Sequence, residues 1–420
     1  MKNRRVVITG LGVVSCVGNN VAEMWDSLIN GRCGLDKITI FDTTGFKTQI
    51  GGEVRNLQTS HIISDKEARR IDDFCLYAVA AAAEALADAG LPADFREAGS
   101  PIAPERAGVC IGSGIGGMRT IEAQCRILVE RGPDRVSPFL IPMLIADMAS
   151  GTVSIRTGAK GPNYTAVSAC ASATHSLGES FWAIKRGDAE MMISGGAEAS
   201  ISALGFAGFC SMKAMSTRND DPKHASRPYD KDRDGFVMSE GAGILILEEY
   251  EHAKKRGAKI YAEIIGYGAT GDAHHITAPA PGGEGGVQAF KMALDNAELN
   301  PDQVDYVNAH GTSTTLNDLY ETQALKTVFG EHARKMAISS TKGTMGHGLG
   351  AAGGFETIIC AMTMKTGIIP PTINYTTPDP ECDLDYTPNT ARERKVDVAI
   401  NTNLGFGGHN AVLVLRRIMD

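Results

Sequence analysis

The chain has 420 residues, and its 43% hydrophobic and 21% charged content excludes a disordered or fibrous protein and allows two or three domains of ordinary size. Lysine plus arginine number 41 against 49 aspartates and glutamates, a net charge of −8, so no basic surface spreads over the whole molecule to suit nucleic acid, although a local basic patch is compatible with that sum. No apolar run reaches the ~18 residues of a membrane span; the nine cysteines include no Cys-x-x-Cys pair, and 48 glycines against 17 prolines point to tight loops in a compact α/β chain.

The start, MKNRR followed by VVITGLGVVSC, has the outline of a secretion signal ending at Cys16, but an apolar stretch broken by Gly10 and Gly12 reads better as a buried strand over 4–9 that runs into a turn. The odd cysteine count suits a reducing compartment. Ser64 and Glu67 form a capping-box pattern ahead of an Ala-rich helix that Gly90 stops. Strands are expected over 107–111 and 163–168, the second entering a helix of small residues from about 170 to 186 that Gly187 ends. Two more strands, 190–194 and 242–248, flank a polar stretch containing STRNDDPKHASRPYDKDRDG, read as a surface excursion. After EEYEHAKKRGAK the order begins again: a strand from 260, a helix over 286–297, a strand over 304–308, a helix over 320–329 and a strand over 337–340. A second small-residue helix over 347–365, closed by Gly367, then leads to strands over 396–401 and 411–415. Strand, loop, small-residue helix, glycine stop and two strands occur once per half, which points to duplication and divides the chain into 1–257 and 258–420. A site between matched halves would draw residues from both, near Cys170 and His347.

Four segments could carry chemistry. In VSACASATHSLG, Cys170 stands where strand gives way to helix, and the unpaired N–H groups and positive dipole end there would lower a thiol pKa toward neutrality. VNAHGTST puts His310 at a strand end beside the hydroxyls of Thr312, Ser313 and Thr314, and STKGTMGHGLGAAGG puts Lys342 and His347 in a glycine-rich loop feeding a helix. NTNLGFGGHN places glycines on both sides of Phe406, so backbone N–H groups can face a ligand while the ring moves. Each segment alone also reads as ordinary structure: a packing thiol, a satisfied histidine, a turn. GSGIGG at 112–117 matches G-x-G-x-x-G without an acidic residue ~20 positions later in a clean βαβ unit, and no G-x-x-x-x-G-K-[ST], G-x-S-x-G or H-E-x-x-H occurs. Dinucleotide binding, ATP hydrolysis, serine hydrolysis and zinc proteolysis therefore lose support. The adjacent His274 and His275 diverge on any regular element and read as loop residues.

In order and spacing, VVITGLG, GSGIGG, ACASATHS, STRNDDPKHASRPYDKDRDGFV, NAHGTST, TKGTMGHGLGAAG and GFGGHN resemble the β-ketoacyl-acyl carrier protein synthases over nearly the whole chain, most closely the elongating enzymes of bacterial fatty-acid synthesis. The resemblance implies a thiolase-like five-layer αβαβα fold of two βαβαβαββ halves, a cytoplasmic homodimer, and acyl carrier protein as partner in its acyl and malonyl forms. It implies no cofactor, metal, nucleic acid or membrane. It implies Cys170 as the nucleophile that takes the acyl chain, and His310 with His347 as the pair that drives malonyl decarboxylation before a Claisen condensation. The backbone N–H groups of Cys170 and Phe406 would hold the oxyanion, and Lys342 and Glu321 would form a buried pair steadying the histidines. Thr312 and Thr314 match pantetheine contacts, while Ile115, Phe209 and Phe406 match residues lining or gating an acyl tunnel. Lys66, Arg69, Arg70, Arg135 and Lys213 fall where the family presents positive charge to the acidic carrier. Gly343 departs from the Ser that many relatives carry, which bears on loop stiffness. On the same fold, a polyketide ketosynthase would share every residue named. A thiolase would need a late Cys-x-Gly motif, which neither Cys360 nor Cys382 supplies, and a non-catalytic chain-length subunit would lack Cys170.

Overall fold

Apolar runs alternating with small-residue segments build a ten-stranded sheet in the computed structural model, which describes residues 4–418. The first half supplies β1 (Val6–Ser15), α1 (Asp73–Asp88), β2 (Ala107–Gly112), α2 (Met148–Thr157), β3 (Asn163–Tyr164), α3 (Ser172–Arg186), β4 (Met191–Glu198) and β5 (Gly241–Glu249). The second supplies β6 (Ala262–Gly271), α4 (Glu284–Asn296), β7 (Tyr306–Asn308), α5 (Thr315–Phe329), β8 (Ala337–Ser339), α6 (Ala352–Thr366), β9 (Val398–Gly405) and β10 (His409–Arg416). The sheet order is β8-β7-β9-β10-β6-β1-β5-β4-β2-β3. Read outward from the β6/β1 junction, each half repeats the same βαβαβαββ order with every strand number raised by five. The halves join where β1 and β6 pair antiparallel, Val6 opposite Ile264 and Ile8 opposite Ala262.

Helix α3 packs on β2, β4 and β5 of its own half and on β6, β9 and β10 of the other; α6 likewise touches β4, β5, β7, β9 and β10. The outer face of the first half is covered by α1 and α2, that of the second by α4 and α5. These are the five layers the resemblance implies. The central core joins Leu177, Phe181 and Ile184 of α3 to Phe355, Ile358 and Ile359 of α6, with Leu245 and Leu413 from the two sheet halves.

Two helices between two sheet halves must approach at backbone distance, which is why they are rich in Gly, Ala and Ser. A Cβ on Gly353 would lie 2.0 Å from Thr174 Oγ1, and one on Gly178 2.3 Å from the Tyr267 ring. The same constraint corrects the reading of the chain start. Gly10 and Gly12 do not end a strand; β1 runs through them, and a Cβ there would lie 2.2 Å from Ala85 O and 2.0 Å from Ala81 O of α1. The signal-like outline is therefore buried strand from Val6 onward, its first three residues lying outside those described. The Ser64 capping box closes only a short turn of helix, Asp65–Ala68, and α1 starts afresh with Asp72 as its N-cap. No helix among the described residues is long and apolar enough to cross a membrane.

The polar stretch before β5 is not a surface excursion throughout. Tyr229 and Asp230 are fully buried and Arg227 and Arg233 nearly so. Burial is tolerable because the polar groups are paired: Arg233 meets Asp379 at 2.6 Å, Asp230 accepts the N–H groups of Thr376 and Thr377, and the Tyr229 ring stacks on Tyr386 at 3.8 Å.

Packing at this density sets a direct test. Gly353→Ala is expected to cost about 1–3 kcal/mol by overpacking and to lower the melting temperature. Gly208→Ala, in the helix Ala203–Ser211 where an added Cβ meets nothing within 4 Å, is expected to hold or raise it.

Candidate active site

The chain turns sharply before α3. Ala169 adopts a left-handed φ of 51° at the head of a single 3₁₀ turn, Ala169–Ala171. A non-glycine residue persists there only where its surroundings over-determine it. Ser172 Oγ donates to Ala169 C=O at 2.7 Å and accepts the Ser168 N–H at 2.9 Å, and His175 Nδ1 reaches Ser168 Oγ at 2.6 Å. Gly405 of β9 presses on this turn so closely that a Cβ would lie 2.9 Å from Ser168 O and 3.2 Å from Cys170 N. The turn offers Cys170 to a cleft between the halves.

His310 follows β7 and His347 precedes α6. Their ring nitrogens and Cys170 Sγ lie within 4.8 Å of one another, all three residues buried, with the imidazoles edge to face at 5.2 Å. His347 Nε2 is 3.1 Å from Sγ, and its Nδ1 accepts the Leu349 N–H at 3.3 Å, which places the ring proton on Nε2, facing the sulfur. The Asn403 amide accepts the Thr174 hydroxyl and donates to Glu356 Oε2 at 2.7 Å, and from that fixed orientation its nitrogen faces His310 Nδ1 at 3.3 Å.

Lys342 and Glu356 form a buried ion pair behind the imidazoles. Burial first, and then the Lys342 ammonium, hold His347 far below its ordinary pKa; for His310 the His347 ring adds to the same push and the Leu404 carbonyl opposes it. Both shifts favour the neutral ring. Burial pushes the Cys170 thiol up to about 12, opposed by Lys342 and by the N–H groups of Phe406 and Cys170 itself, and assisted by Glu198. The expected drop toward neutrality does not occur, because a dry site costs the thiolate more than a helix start returns. Those two N–H groups converge on the sulfur, where a developing oxyanion would also find them.

A thiol and two imidazoles make a donor set that a soft divalent cation accepts, but a metal needs the lone pair of the nitrogen facing it. Leu349 assigns that nitrogen of His347 a proton instead.

The cleft encloses about 700 Å³ and is lined by Cys170, His310, His347, Thr312, Thr314, Ile115, Phe209, Lys213 and Phe406, so the residues read as catalytic, pantetheine-contacting and tunnel-lining stand together. Phe406, Phe209, Phe236 and His347 follow one another at ring spacings of 6.4, 5.6 and 5.5 Å. Lys66, Arg69, Arg70 and Arg135 lie outside the cleft, exposed and without a carboxylate partner among the described residues. Arg70 lies over the Phe139 ring at 5.1 Å. A larger cavity of about 1160 Å³, bordered by Cys16, Glu84 and Arg156, includes none of the residues read as functional.

One pairing is corrected. Lys342 meets Glu356, not Glu321. Glu321 instead accepts the N–H groups of His310 at 2.6 Å and Gly311 at 2.8 Å and the Tyr229 hydroxyl at 2.8 Å, so it holds the loop of His310 rather than the ammonium. Gly343 is explained by space, since a Cβ there would lie 3.0 Å from Ile373. Sequence reasoning missed Glu356, Asn403, Tyr229 and Glu198. The signal available was a polar residue inside a run of apolar and small residues, as Glu356 in GGFETII and Glu198 in SGGAEAS.

Residues 3–253 match the family description "Beta-ketoacyl synthase, N-terminal domain" and residues 261–376 match "Beta-ketoacyl synthase, C-terminal domain". The chain is 52% identical over 416 residues to 3-oxoacyl-[acyl-carrier-protein] synthase 2 of Staphylococcus aureus (strain COL), covering 99% of each. It is 49% identical over 417 residues to the protein of the same name from Synechocystis, again covering 99% of each. Among solved structures, a beta-ketoacyl synthase from Burkholderia phymatum superposes with a TM-score of 0.90 at 36% identity, covering 99% of this chain and 100% of that one. The ketosynthase of a type II PKS, in complex with its acyl-carrier protein and bound to the hexaketide, superposes at 0.91 and 35% identity, covering 100% of both.

Imidazoles neutral in the fold but protonatable when unfolded bind fewer protons in the native state, so stability falls as pH drops below about 6.5, by up to ~1.4 kcal/mol per pH unit for each ring. Denaturant midpoints measured against pH should therefore fall less steeply on the acid side for the variant His310→Ala/His347→Ala than for the parent.

Proposed function

The chain belongs to the β-ketoacyl synthase family, and from that premise we propose that it is the condensing enzyme of fatty-acid elongation, with Cys170, His310 and His347 as its catalytic residues. The observation that carries the reading is the 3.1 Å approach of His347 Nε2 to Cys170 Sγ, with His310 beside them and all three buried at the cleft. Fatty-acid rather than polyketide elongation is supported by 52% and 49% identity over full length to 3-oxoacyl-[acyl-carrier-protein] synthases, against 35% to the polyketide ketosynthase. A thiolase fits less well, since no second cysteine lines the cleft among the described residues, and a non-catalytic subunit fits less well, since Cys170 is present.

The acyl thioester of the carrier enters with its carbonyl against Cys170. Sγ forms the new thioester bond, the pantetheine sulfur leaves, and the thiol proton ends on that sulfur. Because burial disfavours the thiolate, Sγ sheds the proton as the new bond forms, and Lys342 with the two backbone N–H groups favours the developing charge. Malonyl carrier protein then places its thioester oxygen against His310 and His347. Loss of CO₂ leaves an enolate whose oxygen meets two imidazole N–H donors held neutral by burial and by Lys342. Each preorganised donor is typically worth ~3–4 kcal/mol, so the pair removes several powers of ten from the barrier. The enolate carbon attacks the acyl-Cys170 carbonyl and the oxyanion rests on the Cys170 and Phe406 N–H groups. Collapse expels Sγ, which regains one proton from solvent, and releases 3-oxoacyl carrier protein.

The same proposal assigns Lys342 and Glu356 to electrostatic support, Glu321 to the His310 loop, and Thr312 and Thr314 to pantetheine. The acyl chain runs past Ile115, Phe209 and the ring of Phe406. Lys66, Arg69, Arg70 and Arg135 form the carrier-docking patch, with Lys213 at the mouth of the cleft; local positive charge draws an acidic carrier to a protein of net charge −8. A second copy pairs along the edge strand β3, beside which Ile155, Tyr164 and Val167 are exposed at 70%, 38% and 57%. Halves 1–257 and 258–420 are its duplicated units, and the enzyme works in the cytoplasm.

Cys170→Ala is expected to abolish covalent acyl loading while the protein stays folded, and normal acylation of the variant by mass spectrometry would refute the nucleophile. His310→Ala is expected to load acyl chains at Cys170 but to release CO₂ from malonyl carrier protein at least about a hundredfold more slowly; an unchanged rate removes His310 from the mechanism. Reversing charge in Lys66→Glu/Arg70→Glu should raise KM for carrier-bound substrate without lowering kcat, more so at low salt. An unchanged KM at low salt would move the docking patch elsewhere.

A further inference from the structure

Glu198 ends β4, is fully buried, and has no cationic partner among the described residues; the reaction above makes no use of it. Its Oε2 accepts the N–H groups of Gly114 at 2.8 Å and Gly350 at 3.0 Å, and its Oε1 the hydroxyl of Ser200 at 2.9 Å, with that of Ser113 at 3.4 Å. One carboxylate oxygen thus clamps two loops from opposite halves. The clamp is tight, for a Cβ on Gly350 would lie 2.2 Å from Gly114 N and 2.6 Å from Oε2 itself.

Both loops end in the cleft. Gly114 precedes Ile115, and Gly350 sits in the 3₁₀ turn Leu349–Ala351, whose first N–H is the donor that sets the His347 tautomer. Contacts run unbroken from Glu198 to the Gly350 N–H, through the turn to the Leu349 N–H, to His347 Nδ1, and from Nε2 to Cys170 Sγ. We propose that Glu198 is the positioning residue that holds His347 with its Nε2–H on the reacting atoms and the Ile115 wall beside them.

The inference rests on the reading of His347 as a decarboxylation donor, and the test separates the two. Glu198→Gln keeps the clamp, because the amide oxygen can take the two backbone N–H groups while its NH₂ donates to the serine oxygens, but it removes the charge. Glu198→Asp keeps the charge and shortens the reach; Glu198→Ala removes both. Each variant, with His347→Ala alongside, is assayed for acyl loading of Cys170 and for CO₂ release from malonyl carrier protein. Glu198→Ala and Glu198→Asp should load within about threefold of the parent but release CO₂ at least about tenfold more slowly. Glu198→Gln should do both within about threefold. A loss confined to CO₂ release and rescued by Glu198→Gln is a pattern that a purely structural role would not produce. If Glu198→Ala does not fold, Glu198→Asp and Glu198→Gln carry the same contrast. Parent-like CO₂ release in Glu198→Asp beside a dead His347→Ala overturns the proposal. Parent-like release in His347→Ala instead overturns the reading of His347 on which it rests.

Discussion

A single buried positive charge organises the centre of this protein. The Lys342 ammonium stands behind two imidazoles and a thiol, all buried, and Glu356 balances it without reaching the cleft. Placed there, the charge raises the cost of protonating His310 and His347 and lowers the cost of ionising Cys170. One group thereby favours the neutral form of two rings and the ionised form of the thiol beside them. A buried ion pair is weak evidence for stability, since desolvation offsets much of its attraction. Its value here lies in the potential it sets at the reacting atoms.

That placement depends on packing. Cys170 precedes α3 and His347 precedes α6, and these are the helices enclosed between the two sheet halves. Because Gly353 and Thr174 meet at backbone distance, the two helix starts are held together and cannot drift apart without opening the central core. The strained Ala169 and the pressure of Gly405 on the same turn belong to this arrangement. Duplication supplies the geometry, and the differences between the halves supply the chemistry: a thiol in one, imidazoles and an ammonium in the other.

Much of this was legible in the sequence. Repeated strand, small-residue helix and glycine stop foretold the duplicated five-layer fold, and the order of motifs brought Cys170, His310, His347, Thr312, Thr314 and Phe406 into one cleft. What escaped depended on contacts across long separations. Gly10 and Gly12 carry no mark that distinguishes a turn from a strand pressed on a helix, and the partner of Lys342, taken from the resemblance as Glu321, was misread because nothing in the sequence ranks Glu356 above it. Local helix-start logic predicted an acidified thiol, and only the surrounding burial reverses it. The polar stretch around Tyr229 looked solvent-facing because its partners, Glu321, Asp379 and Tyr386, lie far along the chain.

The central claim is that two neutral imidazoles face the sulfur around a buried ammonium. Side-chain nitrogen NMR of ¹⁵N-histidine-labelled enzyme, with His310 and His347 assigned by single substitution and followed from pH 8 to about 5, tests it directly. Both rings should remain neutral throughout, with the His347 proton on Nε2. A ring that takes up a proton with a midpoint near the ordinary ~6.5, or a His347 proton found on Nδ1, would contradict the account.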